Sequence, residues 1–244
     1  FLLAMKRKDK PGYHQRYHNI IKEPMDYSAS DTAPATLALY RLGRKLNRDH
    51  FVKAALAEAT RLVDYRLARH ARGKTDLRPD EMVLFAELAD VDKRFGQMLD
   101  VGTKALLKQQ FGVRKSPFPQ YLGAFAWFRP NKGFNLSSEF CAECMTMLAA
   151  AARHQRGTGA DITELKQALA RASRFLMQLR FRREASFYCP NPMAVDGALR
   201  RDLMDPDVLT DDLAGAVLTL VEAADLLGPE ARYHFPEAAP ADGY

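Results

Sequence analysis

Acidic residues recur at the start of several apolar segments, where carboxylates could act as general acid and base. Glycosidic bonds are hydrolysed by two such groups facing each other across a pocket. Capping and the helix dipole also favour Asp and Glu in a first helical turn, which gives each residue a structural alternative. The residues are Asp31, Asp80, Glu81, Glu139, Glu143, Asp211 and Asp212.

Glu143 differs from the other acids because it lies about one turn inside a segment that becomes apolar. Burial there would raise its pKa and suit a general acid. If the chain is an enzyme, we therefore expect Glu143 to act with Asp211 or Asp212, and His18 is a further catalytic candidate.

The segment YHQRYH at 13–18 combines aromatic and imidazole side chains. On a helix, His14 and His18 would share a face and could bind a metal ion. Pro11 and Gly12 favour a loop instead, and no carboxylate motif completes a metalloprotease pattern. We interpret 13–30 as a loop, with packing, substrate contact and metal binding as alternatives in that order.

Cys141 and Cys144 form a C-x-x-C pattern, and Cys189 follows in a later loop. Such a pattern is found in redox pairs and in half zinc sites. A zinc site here would have to recruit Cys189 and a distant His or Asp, so we favour small buried thiols. The sequence predicts no cofactor and no metal site.

Aromatic and arginine residues are grouped in the long polar loops. Aromatic faces stack on sugar rings, and Arg binds a carboxylate or phosphate through two hydrogen bonds. Aromatic side chains also anchor long loops, so both interpretations stay open. The predicted substrate-binding residues are Tyr17, Trp127, Arg129, Tyr188 and Arg200, with Tyr121 and Phe128 beside them.

The elements that carry these residues are predicted to be helices, because apolar positions recur every three to four residues and no strand pattern competes. Three apolar helices are each followed by a more charged one, at 48–72, 93–111 and 161–182, and a final helix spans 211–227. Long polar segments precede three of the apolar helices, which predicts a functional end of the molecule.

Three phrases then resemble the α/α toroid superfamily, which includes six-hairpin glycosidases, polysaccharide lyases and the terpenoid-cyclase and prenyltransferase group. They are TAPATLALYRL at 32–42, LRPDEMVL at 77–84, and DGALR at 196–200 followed by DDLAGAVL at 211–218. The resemblance implies an all-α partial toroid of antiparallel helix hairpins, with a pocket at the N-terminal ends of the inner helices. We expect residues 1–244 to be one such domain within a longer chain.

Composition and charge limit the classes of molecule that we expect the chain to bind. The chain has 244 residues, a net charge of +6 and no Lys/Arg block or RNA-binding motif, so we expect no nucleic acid. No apolar run reaches the roughly 20 residues of a membrane span. The sequence therefore predicts a carbohydrate-active domain that binds or cleaves a polysaccharide or oligosaccharide, and an anionic one fits the basic excess.

Two alternatives stay open. One is a non-catalytic helical accessory or protein-interaction domain that contacts neighbouring domains of the same polypeptide. The other is a zinc-dependent toroidal transferase or cyclase that uses the cysteines. The sequence contains no P-loop, Rossmann or G-x-S-x-G pattern, and its compartment is not predicted.

Overall fold

The computed structural model divides the chain into two compact units, unit 1 at Phe1–Gly102 and unit 2 at Thr103–Tyr244. The prediction of a single domain stays a prediction. The structure describes residues 13–18, 23–28, 32–74, 77–112, 118–125, 127–129, 133–182, 191–203, 207–208 and 210–230.

Unit 1 contains a β-hairpin and a group of helices. Its elements are β1 (Tyr13–His18), β2 (Glu23–Ser28), α1 (Thr32–Lys45), α2 (Asp49–His70), α3 (Pro79–Leu88) and the first part of α4 (Lys93–Gln109). The strands are antiparallel, with Tyr13 opposite Ser28 and His18 opposite Glu23.

A tight turn joins α1 to α2 and makes them an antiparallel hairpin. Asn47 has a positive φ of 51°, and the N–H of Arg48 donates to the carbonyl of Gly43 at 2.8 Å. This is a Schellman-type helix end, for which Asn is one of the few suitable non-glycine residues. Gly43 lets α2 approach closely, because an added Cβ would lie 2.9 Å from Phe51 and Val52 atoms.

Two ion pairs in unit 1 show the direction in which α3 runs. Arg66, near the end of α2, contacts Glu81 near the start of α3, whereas Arg41 in the second half of α1 contacts Glu87 near the end of α3. Helices α1 and α3 therefore run parallel. Their apolar faces meet those of α2 and α4 in one cluster: Ala33, Ala59, Leu62, Val63, Leu84, Phe85, Leu88, Phe95 and Met98.

Unit 2 is built on three long helices. Its elements after α4 are β3 (Trp127–Arg129), β4 (Gly133–Asn135), α5 (Ser138–Gly157), α6 (Thr163–Gln178), the short α7 (Pro192–Val195) and α8 (Thr210–Leu227), with 3₁₀ turns at Pro119–Tyr121 and Gly228–Glu230. β3 and β4 are antiparallel, with Phe128 opposite Phe134.

Helices α5 and α8 are parallel. The hydroxyls of Thr146 and Thr219 lie 3.0 Å apart, and Arg153 forms an ion pair with Glu222 further along both helices. Helix α6 packs against both α5 and α8. It runs antiparallel to α5, since the turn at 158–162 joins their ends and Ala172 lies beside Cys141.

The all-α class is confirmed for the body of each unit, and the toroid arrangement of its helices stays a prediction. The interpretation of 13–30 as a loop is wrong in part, because 13–18 and 23–28 pair as strands; aromatic residues favour such pairing. The charged helices α4 and α6 end two to four residues earlier than expected. None of the described helices is both long and apolar enough to cross a membrane.

Candidate functional site

An open groove of about 610 Å³ lies along the second half of α1 in unit 1. Its lining consists of Tyr40, Arg41, Arg44 and Lys45 from α1 and Glu87 from α3. Three of these five side chains are cationic and one is aromatic. Basic residues in a last helical turn also stabilise the helix by offsetting its dipole, so α1 itself favours them here.

The cationic side chains of the groove differ in their surroundings. The Arg41 guanidinium donates from Nη2 to Glu87 Oε2 at 2.5 Å and from Nε at 3.2 Å, which raises the pKa of Arg41. Glu87 therefore orients Arg41 and offsets its charge. Arg44 and Lys45 are exposed, and the positive potential of the groove rests mainly on them.

A second polar group lies at the N-terminal end of α3. Arg66 Nη2 donates to Glu81 Oε1 at 2.6 Å, and the backbone N–H of Arg78 donates to Glu81 Oε2 at 3.2 Å. Both members of the ion pair are buried. Burial raises the pKa of Glu81, and Arg66 offsets part of that effect.

Asp80 and two threonines complete the polar end of unit 1. Burial raises the pKa of the half-buried Asp80, although Arg78 lies 3.4 Å away. On α1, Thr32 and Thr36 are buried one turn apart, and their hydroxyls have no hydrogen-bond partner among the described residues. The parallel direction of α1 and α3 brings these groups to the same end of unit 1.

Glu143 does not have the environment expected of a general acid. It lies on the exposed face of α5, while Cys141 and Cys144 of the same turn are buried. The prediction of a buried Glu143 is therefore wrong, because the apolar stripe of α5 begins on the other side of the helix.

The other predicted catalytic residues are placed by their backbones. Asp211 and Asp212 lie in the first turn of α8, and the parallel packing puts that turn at the same end of unit 2 as the start of α5. His18 and Tyr17 belong to β1 of unit 1. Their side chains lie outside the described part of the structure.

The other predicted substrate-binding residues differ in how much of each the structure describes. Trp127 and Arg129 form the ends of β3, but their side chains are outside the description, as is the whole of Tyr188. Arg200 is half-buried. It donates to the Gln178 carbonyl at 3.2 Å and lies over the Phe181 ring, so it closes the end of α6.

Tyr121 packs against other aromatic rings, and the two cysteines of α5 are buried. The Tyr121 ring packs edge-on against Phe118 at 5.3 Å and contacts Phe111, which anchors its loop. Cys141 and Cys144 are free and buried, and burial raises the pKa of both thiols, which keeps them protonated and unreactive. Within the described ranges, no three His, Cys, Asp or Glu side chains are grouped where one metal ion could bind them.

Comparison with known proteins identifies no relative of this chain. No family model, no curated protein and no solved structure matches this chain. The arguments for its function therefore come from its own side chains.

The groove is the feature that the sequence reading missed. The segment YRLGRK at 40–45 carries the signal, since its three cations follow a tyrosine within two helical turns. Last-turn cations are common in helices, and the sequence gives no sign that Glu87 lies beside them. The groove is at the C-terminal half of α1, opposite to the end where the resemblance implied a pocket.

Proposed function

We propose that this chain binds an anionic polysaccharide without cleaving it, through the groove on α1. The observation that carries the proposal is the grouping of Tyr40 with Arg41, Arg44 and Lys45 in one open groove. The ring of Tyr40 offers an apolar face for a sugar, and the cations offer donors for uronate or sulfate groups. The groove is open to solvent, as the binding of a long polymer requires.

Binding is preferred to cleavage because of the carboxylates. Hydrolysis by the usual mechanism needs two carboxyl groups on either side of the scissile bond. Among the lining residues that the structure describes, Glu87 is the single carboxylate, and it is engaged by Arg41. The groove therefore supports recognition of a charged chain, and the acidic starts of α5 and α8 stay candidates for a separate site.

The proposal predicts charge-dependent binding of polygalacturonate to the whole chain. An Arg44→Gln/Lys45→Gln double variant is expected to bind it at least about tenfold more weakly, since each lost charged contact is worth about 1 kcal/mol or more. Higher salt is expected to weaken binding by the parent chain, because exposed charges are screened. Isothermal titration calorimetry measures both effects.

The matched control is Arg72→Gln/Lys74→Gln, which removes the same net charge from exposed positions after α2. It is expected to change the affinity less than twofold. Equal losses in the two double variants would show an effect of net charge alone and would contradict the groove. Equal binding of neutral dextran, or tighter binding of a single-stranded RNA oligomer, would contradict the anionic-saccharide class.

A further inference from the structure

The groove on α1 has two parts that differ in charge. Arg41 and Glu87 form an ion pair, whereas Arg44 and Lys45 have no acidic partner among the residues that the structure describes. Tyr40 precedes Arg41 in the chain and lies one helical turn before Arg44, so the unpaired cations are about 6 Å further along the helix. We call Tyr40, Arg41 and Glu87 the paired end of the groove, and Arg44 and Lys45 its charged end.

The ion pair uses only one side of the Arg41 guanidinium. Its Nε donates to both carboxylate oxygens of Glu87 at 3.2 Å, and its Nη2 donates to Oε2 at 2.5 Å. Its Nη1 has no acceptor among the described residues, and the Arg41 side chain is 57% exposed. Glu87 is 31% exposed, and its oxygens have further lone pairs. The paired end therefore offers a donor and an acceptor side by side to a ligand.

An uncharged sugar fits the paired end better than a uronate does. Sugar hydroxyls both donate and accept, so one sugar can bond to Arg41 Nη1 and to a Glu87 oxygen together. A ligand carboxylate only accepts, and Glu87 would repel it because like charges disfavour contact. The Tyr40 ring, half-buried against the core of unit 1, adds an apolar face that requires no charge on the sugar.

The charged end requires an anion instead. Arg44 and Lys45 are both exposed, and no described carboxylate offsets their charge. The guanidinium matches a carboxylate or sulfate through two hydrogen bonds, and the ammonium adds a point charge. An anionic sugar bound there is stabilised by two cations, and it lies one helical turn away from Glu87.

We propose that the groove selects a polysaccharide in which neutral and anionic sugars adjoin, with a neutral sugar at the paired end and an anionic sugar at the charged end. Glu87 then determines specificity, because it disfavours a polymer that is charged at every sugar. This inference rests on the proposed function, since it concerns the same groove and the same class of ligand.

Polygalacturonates of increasing methyl esterification test the inference, because esterification removes charge and leaves the sugar unchanged. Isothermal titration calorimetry with the whole chain is expected to give the tightest binding near half esterification, at least about threefold tighter than with the unesterified polymer. One contact between exposed charges changes affinity by up to about fivefold, which sets this scale. Attraction by net charge alone would make the affinity fall with every ester added.

Glu87→Gln removes the repulsion at the paired end. The variant is expected to bind unesterified polygalacturonate at least about threefold more tightly than the parent does, and to bind it best of the series. Glu164→Gln is the matched control, since it removes the same charge from an exposed position in the first turn of α6. It is expected to keep the parent's maximum near half esterification. Circular dichroism and the melting temperature of each variant verify the fold.

The inference and the proposed function fail in different ways. Absence of binding by every polymer in the series, or equal binding of neutral dextran, would contradict both. A parent affinity that falls steadily with esterification, or a Glu87→Gln variant with the parent's maximum, would contradict the inference alone, because the groove would still bind an anionic polysaccharide. Arg44→Gln/Lys45→Gln is expected to weaken the binding of every charged polymer in the series.

Discussion

Arg66→Ala is expected to lower the free energy of unfolding by about 3–5 kcal/mol, the range found when one member of a buried ion pair is removed. Glu81 is only 2% exposed and would keep its place in the first turn of α3 without a charged partner. Its charge would then be buried without compensation, and desolvation of that charge is the source of the loss. Urea unfolding of the whole chain measures the effect.

Arg153→Ala is the matched control, since Arg153 also pairs with an acid, Glu222, but both side chains are largely exposed. It is expected to cost less than about 1 kcal/mol. A second variant identifies the cause. Adding Glu81→Gln to Arg66→Ala is expected to recover part of the stability, because the amide carries no charge. If the double variant is no more stable than Arg66→Ala, lost packing of the arginine is the cause instead.

Gly123→Ala is expected to destabilise unit 2 by more than about 3 kcal/mol, because backbone strain and a steric overlap act together. A Cβ at this position would overlap the Arg171 carbonyl, which belongs to the backbone of α6 and cannot rotate away. The shift would also disturb Gln110, whose Nε2 donates to Gly123 O at 3.1 Å and to Ala168 O at 2.8 Å. Denaturant unfolding followed by circular dichroism measures the loss.

Gly197→Ala separates the effect of backbone strain from that of steric overlap. Gly197 has nearly the same φ, 85° against 93° at Gly123, and no atom of the described residues lies within 4 Å of an added Cβ, so its substitution is expected to cost about 1–2 kcal/mol from the left-handed backbone alone. The difference between the two variants measures the steric overlap with α6. Equal losses at the two glycines would contradict the close packing of 123 against α6.

The helices were the predictable part of the fold. Apolar residues at every third or fourth position predict α2, α4 and α6 with their charged outer faces, and Gly or Asn at the turns places most ends within a few residues. The acidic starts of α3 and α8 were also recognisable. Such patterns depend on a residue and its near neighbours, and that information is present in the sequence.

The predicted site was less successful, and Glu143 shows why. Its neighbours in the chain are apolar, but burial on a helix depends on which side packs against other elements, and Glu143 lies on an exposed part of α5. The surroundings of Arg200 were also not predictable from its neighbours, since its guanidinium donates to the carbonyl of Gln178 at the end of α6. The toroid, the polysaccharide and the catalytic pair remain predictions.

By itself, the sequence determined that the chain folds into alternating apolar and charged helices, because periodicity and capping are local properties. Tertiary structure alone decided that Glu87 joins the cations of α1, that Arg66 and Glu81 are buried together, and that Gly123 is covered while Gly197 is open. Each of these facts joins side chains or backbone groups at least 15 residues apart, or depends on which element lies nearby. Contacts between residues so far apart in the sequence form only when the helices pack.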